Sequence, residues 1–478
     1  MKNSALFTDY YELTMAQGYW KHGMDAKAVF DMFFRRQPFK GGYSVFAGLD
    51  PLIDSLEGFS FSSEDLAWLE SQACFEPAFL RFLENFRFSG DIYAMEEGEL
   101  VFPQEPLLRV HANLIEAQIV EGLILNMLNF QSLIATKSAR VSMAARGKKL
   151  MEFGLRRAQG RNGAMAATRA SFIGGAAGTS NALAARQLGI PAMGTMAHSW
   201  VMAFDSELEA FNAYADLYPS NTTLLIDTYD TLESGLPNAI AAGKRLAARG
   251  CNFGVRLDSG DIDYLSRKVR TALDKAGLEK AFIVVSNELD EYIVERLVSE
   301  GAPVDVWGVG THLVTGGEES AFTGVYKLAA VERNGSYQSV MKLSDNPEKA
   351  TNPGIKELYR FFDPSGAAIA DYMALEEEVP EKGKSIILYH PSLDMRRFRL
   401  NPEGDIKKLL GKVMEGGKRI ASAKSMNDIQ NKCIESAKAF DHTYLRFLNP
   451  HIYKVSISQG LRDMKADFVE RFRGNNSI

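Results

Sequence analysis

From residue 149 onward, short apolar runs recur with helical patterns between them. The runs are KLMEFG (149–154), SFIGG (171–175), PAMGTM (191–196), TLLIDT (223–228), FGVRLDS (253–259), AFIVVS (281–286) and VDVWGVG (304–310). Apolar runs of this length bounded by Gly and polar residues read as buried strands. In DIDYLSRKVRTALDKAG, Ile262, Leu265, Val269 and Leu273 fall on one helical face. Strands alternating with helices mean βαβ units and a parallel sheet. Seven such units predict an α/β fold with an incomplete, seven-stranded barrel-like domain. A doubly wound open sheet is the runner-up, but no GxGxxG follows the first strand.

The flanking pattern is different. Residues 1–115 read as a mixed α/β N-terminal domain: AVFDMFFRR (28–36) is strand-like, and SSEDLAWLESQACF is a helix capped at Ser62 or Ser63. YAMEEGELVFPQEPLLRVHA (93–112) alternates short apolar runs with turn residues. A helical region follows from about Leu114 to Arg146, with Asn129 as a candidate interruption. The barrel domain is assigned to 116–330, and 331–478 to a C-terminal region packing on the N-terminal domain and barrel. That region is entered through a hairpin turning at Asn334-Gly335. Its polar loop carries Lys342 and Lys349, which suit either phosphate contact or plain solvation.

Bulk properties narrow the function. The 478 residues carry a net charge of -6 and a pI near 5.8, which argues against a general nucleic-acid binder. Cys74, Cys251 and Cys433 have no CxxC pairing, so neither a disulfide framework nor a zinc site is expected. The acidic, weakly apolar start gives no signal-peptide pattern, and LIEAQIVEGLILNMLNF is broken by Glu116, Gln118 and Glu121. The expected setting is the cytoplasm, without a membrane.

In a parallel barrel, functional groups gather at the C-terminal strand ends. Here those ends carry Arg156, Arg157 and Arg161; His198 and Ser199; Asp227; Arg256, Asp258, Ser259, Gly260 and Asp261; Ser286 and Asn287; and Gly308, Gly310, Thr311 and His312. The GVGTH loop suits phosphate, and the arginines suit phosphate or carboxylate oxygens. The aspartates suit Mg²⁺ or sugar hydroxyls. Each element also has a bland reading. DSGD makes a good helix cap in which Asp258 or Ser259 needs no other role, the glycines suit turns, and a single strand-end histidine is commonly structural. The gathering of so many polar clusters at one end of successive strands favours a site for a phosphorylated sugar.

With those residues assembled, the chain resembles the nicotinate phosphoribosyltransferases. The resemblance rests on TDYYELTMAQGYW, NFQSLIATKSAR (129–140), EFGLRRAQG (152–160), GGAAGTSN (174–181), GTMAHSW (194–200), LIDTYDT (225–231), VRLDSGD (255–261), VWGVGTHLVT (306–315), VYKL (325–328) and LNPHIY (448–453). It implies a type II phosphoribosyltransferase fold and a homodimer with active sites near the interface. The implied reaction joins nicotinate to phosphoribosyl pyrophosphate with Mg²⁺, giving nicotinate mononucleotide and pyrophosphate, coupled to ATP hydrolysis. His198 matches a transiently phosphorylated histidine, and Asp227 a carboxylate orienting it. Tyr11 matches an aromatic stacking on the pyridine ring, often across the dimer interface, and Phe153 would cover the other face. Arg156 and Arg256 match groups near the nicotinate and phosphoribosyl moieties, and Asp258 a ribose contact. Gly308 and Gly310 match the 5′-phosphate loop, Thr179 a position near nicotinate, and Ser199 a flanking contact, with Trp200 in the core.

Four rivals remain. An unrelated phosphosugar isomerase or lyase on a barrel would want a Lys or a carboxylate acid/base pair, and neither is evident. Nicotinamide-using relatives share the fold, but IGGAAGTSNALAAR lacks the acid they place there. Quinolinate-using relatives are shorter and lack the histidine. A catalytically inactive binding paralogue is disfavoured by the joint presence of His198, Asp227, Arg256 and GVGTH.

Overall fold

The computed structural model describes residues 4–344, 350–393 and 396–474. The chain divides into two compact units, 1–133 with 321–478, and 134–320.

The first unit is built on two large sheets, with a two-stranded pair of 44–45 and 100–101 beside them. One is a seven-stranded antiparallel sheet in the order 336–339, 324–333, 27–34, 108–113, 91–94, 411–415 and 418–419. The 324–333/336–339 hairpin turns at Asn334 and Gly335, both at positive φ, as that dipeptide predicts. The other sheet has six strands in the order 397–400, 386–389, 455–457, 368–375, 356–362 and 406–408. Ser62 caps helix Ser63–Ser71 in a reciprocal capping box with Asp65. Buried ion pairs lie in this unit: Arg360 binds Asp371 and Glu99, each at 2.7 Å, and Lys356 binds Asp31 at 2.7 Å. The helical region breaks at Val120, between Leu114–Ile119 and Glu121–Ala144; the expected break at Asn129 is not seen, since Asn129 lies within the second helix. The stretch Leu114–Ala144 is long and apolar enough to cross a membrane, but 67% of its most apolar window is buried within the protein.

The second unit holds six parallel strands: β1 Lys149–Glu152, β2 Gly178–Thr179, β3 Thr222–Leu225, β4 Phe253–Leu257, β5 Phe282–Asn287 and β6 Val306–Val309. Their order is β2-β1-β6-β5-β4-β3. The last strand pairs with the first, so the sheet curls as a barrel does, and its free edges are β2 and β3. This corrects the expected seven strands to six. SFIGG is the end of helix Gly160–Ile173 and its turn; an apolar run buried on a helix cannot be told from a strand by periodicity. PAMGTM contributes one bridge, Thr179 to Ala192, and no strand. The opening of the barrel therefore lies between Ala192 and β3, in the connection that carries His198.

Candidate active site

A cleft of about 140 Å³ opens at the C-terminal strand ends of the second unit. Phe153 follows β1, Asp258 follows β4, Ser286 and Asn287 end β5, and Gly308, Gly310 and Thr311 come from β6 and the loop after it. Arg156, Arg157 and Arg256 also line it, against Asp258 and Glu288, so its cations outnumber its acids.

Arg256 is held on every arm. Its Nε donates to Ser286 Oγ at 2.7 Å, Nη1 to Thr195 Oγ1 at 2.9 Å and Met196 O at 3.2 Å, and Nη2 to Asp258 Oδ1 at 2.8 Å. Its guanidinium carbon lies 5.9 Å from the Phe153 ring centre. A planar fork with four hydrogen bonds from its five N–H groups is fixed before any ligand arrives, with one N–H left to give. Burial opposes ionisation of Asp258, but the hydrogen bond from Ser286 and the Arg256 charge outweigh it and hold its carboxyl below the usual range. The floor is shaped by absent side chains. A Cβ on Gly308 would come within 2.7 Å of the Phe153 ring, and one on Gly154 within 2.2 Å of Val314. Any larger residue at 308 would displace Phe153.

His198 begins the short helix His198–Met202 and is half-exposed. Its Nε2 is 3.3 Å from Asp227 Oδ1, and Asp227 is buried just past β3. Asp227 Oδ2 accepts the backbone N–H of Asp258 at 3.2 Å and the Ser259 hydroxyl at 2.5 Å. A carboxylate with three donors is an acceptor fixed in place, so the Nε2–H tautomer of His198 fits it, leaving the Nδ1 lone pair free. The same hydrogen bond links the connection at the barrel's opening to β3.

The structure thus brings together Phe153, Arg156, Arg256, Asp258, Gly308, Gly310 and Thr311 as cleft lining. His198, Asp227 and Ser259 are joined to them through Asp258. Gly260 turns at φ +81 just before Asp261. Asp261 caps helix Ile262–Lys275, so the capping role weighed for Asp258 and Ser259 belongs to it. Ser199 is exposed beside His198; Trp200 is half-buried and donates to Ala210 O at 3.1 Å. Thr179 is not in the lining: it is 1% exposed and gives its hydroxyl to Glu152 Oε2 at 2.5 Å. Tyr11 belongs to the first unit, where it is half-exposed on helix Tyr10–Lys21. Lys342 also lies there, its Nζ near Leu343 O, and Lys349 lies outside the described residues.

The whole chain was compared with known proteins. A model of the nicotinate phosphoribosyltransferase N-terminal domain matches residues 6–129, the family model 148–366, and a C-terminal domain model 355–465. The nicotinate phosphoribosyltransferase of Bacillus subtilis (strain 168) is 41% identical over 458 residues, covering 95% of this chain and 93% of that one. The chain belongs to the nicotinate phosphoribosyltransferase family. A relative of the same name from Dictyostelium discoideum is 38% identical, covering 96% of this chain and 87% of its own. The crystal structure of human nicotinic acid phosphoribosyltransferase superposes with a TM-score of 0.85 at 30% identity, covering 96% and 99% of the two chains.

In this family member, sequence reasoning left some working residues without a role. Ser286 ends an apolar run and could be named as a strand end, but only the fold shows that it braces both Arg256 and Asp258. Thr195 and Met196 hold Arg256 from a loop that carries no motif of its own. Glu152 is buried, with Thr168, Thr179 and the Gly154 N–H all donating to it. An acid at the end of an apolar strand was its one visible signal.

Proposed function

We propose that this chain transfers the phosphoribosyl group of phosphoribosyl pyrophosphate to nicotinate, forming nicotinate mononucleotide and pyrophosphate in NAD biosynthesis, coupled to ATP hydrolysis through a phosphorylated His198. The observation that carries this reading is the array His198–Asp227–Ser259 joined through Asp258 to the braced Arg256.

The pyridine nitrogen of nicotinate is unprotonated near neutrality, so the transfer needs no general base. It needs the lone pair held behind C1 of the ribose and charge stabilised on departing pyrophosphate. Arg256 and the backbone N–H groups of the Gly308–Thr311 loop supply fixed positive dipoles for the phosphates. Asp258 offers its remaining acceptor capacity to ribose hydroxyls. Among the described residues no group of three or more His, Cys, Asp or Glu could hold a metal. Mg²⁺ keeps phosphate and water ligands and would arrive on the substrate's pyrophosphate, with Asp258 and Glu288 the carboxylates of the cleft lining that could meet it.

In the coupling step, Nδ1 of His198 attacks the γ-phosphorus of ATP. A P–N bond forms, the P–O bond to ADP breaks, and the imidazolium charge is met by Asp227. Hydrolysis later returns phosphate and the free imidazole. A cytoplasmic homodimer belongs to the same reading, with Tyr11 supplied to the nicotinate ring by the partner subunit.

The test is His198→Ala, assayed for mononucleotide and ADP with nicotinate, nicotinamide or quinolinate. Expected are product from nicotinate alone and loss of ADP formation with basal transfer retained. Full ATP-coupled turnover at unchanged stoichiometry would sink the role of His198, and product from nicotinamide would sink the choice of base.

A further inference from the structure

A second and much larger cleft, of about 970 Å³, lies in the first unit, where the hairpin of strands 386–389 and 397–400 meets the loop 446–454. Its size is that of a small-molecule site, typically about 300–1,000 Å³. Arg396, Arg397, Arg446 and Lys454 line it together with His390 and His451, and no Asp or Glu among the described residues does. None of these four cations has an ion-pair partner among the described residues. Elsewhere in the unit the pattern is the reverse: Lys407, Lys412, Arg419 and Lys424 pair with Glu99, Asp91, Asp50 and Glu96 at 2.8–2.9 Å. In a chain of net charge -6, four cations around one recess with no carboxylate in its lining among the described residues favour a local positive field that attracts a polyanion.

The walls are apolar and aromatic as well as cationic. Phe102 and Tyr453 are buried beneath the cleft, and Phe398 lies 4.8 Å from Lys454 Nζ. His451, exposed in the lining, stacks on Tyr444 with ring centres 5.0 Å apart and planes 14° from parallel, which orients its ring. His390 Nδ1 accepts the N–H groups of Ser392 and Leu393, each at 3.1 Å, which sets the Nε2–H tautomer as a neutral donor. Burial, with Arg396 and Lys465 adding their charge, pushes the His390 pKa down, consistent with the positive field. The cleft is also pre-formed. A Cβ on Gly42 would meet Tyr444 O at 2.2 Å and Pro450 Cβ at 2.9 Å, so the two loops are packed as closely as backbone allows.

We propose that this cleft binds a nucleotide, its phosphates on Arg397, Arg446 and Lys454 and its base against the His451 ring, as a site separate from the barrel cleft. Arginine forks suit phosphate oxygens, and a fixed aromatic plane suits any base. The site gives the protein a means of sensing nucleotide concentration apart from its substrates.

The experiment is calorimetric titration of ADP and, separately, pyrophosphate into the full chain, its Arg397→Ala/Lys454→Ala and Lys454→Gln variants, and an Arg256→Ala variant. Circular dichroism checks the fold of each. Expected are at least tenfold weaker ADP binding in one class of sites for the double variant, a smaller loss for Lys454→Gln, and the same class intact in Arg256→Ala. ADP should also bind that class several-fold more tightly than pyrophosphate. Equal ADP affinity in wild type and Lys454→Gln overturns the proposal, as does loss of all binding in Arg256→Ala. Equal binding of ADP and pyrophosphate overturns the assignment to a nucleotide. A changed oligomeric state with unchanged ADP affinity, read by sedimentation, overturns it by making the cleft an interface between copies. Failure of the barrel chemistry itself would appear in the His198→Ala assay and not here.

Discussion

The two clefts hold their cations in opposite ways. In the barrel, Arg256 is braced by Ser286, Thr195, Met196 and Asp258 within a recess of about 140 Å³. In the first unit, Arg396, Arg397, Arg446 and Lys454 have no ion-pair partner among the described residues and stand around about 970 Å³. A braced cation costs no reorganisation when charge develops on a reacting group, which suits catalysis. A cation without a carboxylate partner gives up little in accepting an anionic ligand, since it has no ion pair to break, which suits binding. The contrast implies that substitutions in the barrel act on turnover and those in the other cleft on affinity.

The largest effect should come from breaking the brace. Arg256→Ala removes a fixed donor from the phosphate side, and loss of one such donor costs roughly 10²–10³ in rate. Steady-state kinetics should show kcat/KM for phosphoribosyl pyrophosphate falling by that order. Arg256→Lys should recover little of it, because an ammonium cannot reproduce a fork with four hydrogen bonds. The pH profile should move as well. Asp258 is held below the usual carboxylate range by Ser286 and Arg256, so its ionised form persists as pH falls. Without Arg256 the acid limb should move to higher pH. A lysine variant with wild-type kcat/KM would remove the distinction between the clefts.

A smaller effect is expected one step away. Asp227→Asn keeps an oxygen able to accept from His198 but turns an NH₂ toward the Asp258 N–H and Ser259 hydroxyl that the carboxylate accepts. Carboxylates that orient metal-ligating histidines are typically worth 10–100-fold, and an effect of that order is expected here. ADP formation should fall by that factor while basal mononucleotide formation falls less. Equal loss of both would make Asp227 a support of the fold and not of the coupling.

How far the chain could be read beforehand follows the same division. The βα alternation and its strand-end polar groups were legible because parallel strands are continuous apolar runs and the chemistry follows them directly. Asp227, Arg256 and Asp258 lie just past or within such strands, whereas His198 follows PAMGTM, which forms no strand, and lies instead at the start of a short helix. Ser286 as a brace, and Thr195 and Met196 as partners of Arg256, were not legible, because they come together only when β3 to β6 lie side by side. SFIGG was misread as a strand because five apolar or small residues carry no period. The basic cleft was not legible: LNPHIY in its wall carries no cation, its cations come from segments near 396, 446 and 454, and only the fold brings them together without an ion-pair partner among the described residues.

The smallest effect tests the mirror case, an acid without a counter-charge. Glu12 is fully buried in the first unit, accepts the Thr8 hydroxyl, and has its second oxygen unpartnered. Burial first, and then the charges of Glu121 and Asp9, raise its pKa from 4.5 to about 8, against the opposing N–H groups of Gly122 and Asp9. The folded chain therefore holds a proton that the unfolded chain releases between pH 4.5 and about 8. The stability this confers is full below pH 4.5 and is lost as pH rises through about 8. Glu12→Gln keeps the shape and a neutral group but has no proton to lose. Thermal melts at pH 6 and pH 9 should show the wild type losing on the order of 2 kcal/mol more than the variant over that interval. Parallel losses would mean that Glu12 is ionised in the folded chain at both pH values, with a solvent path the packing does not suggest. The effect is confined to stability: an unpaired acid sealed from ligands can change how the unit melts, whereas the cations of the cleft, without ion-pair partners among the described residues, change what it binds.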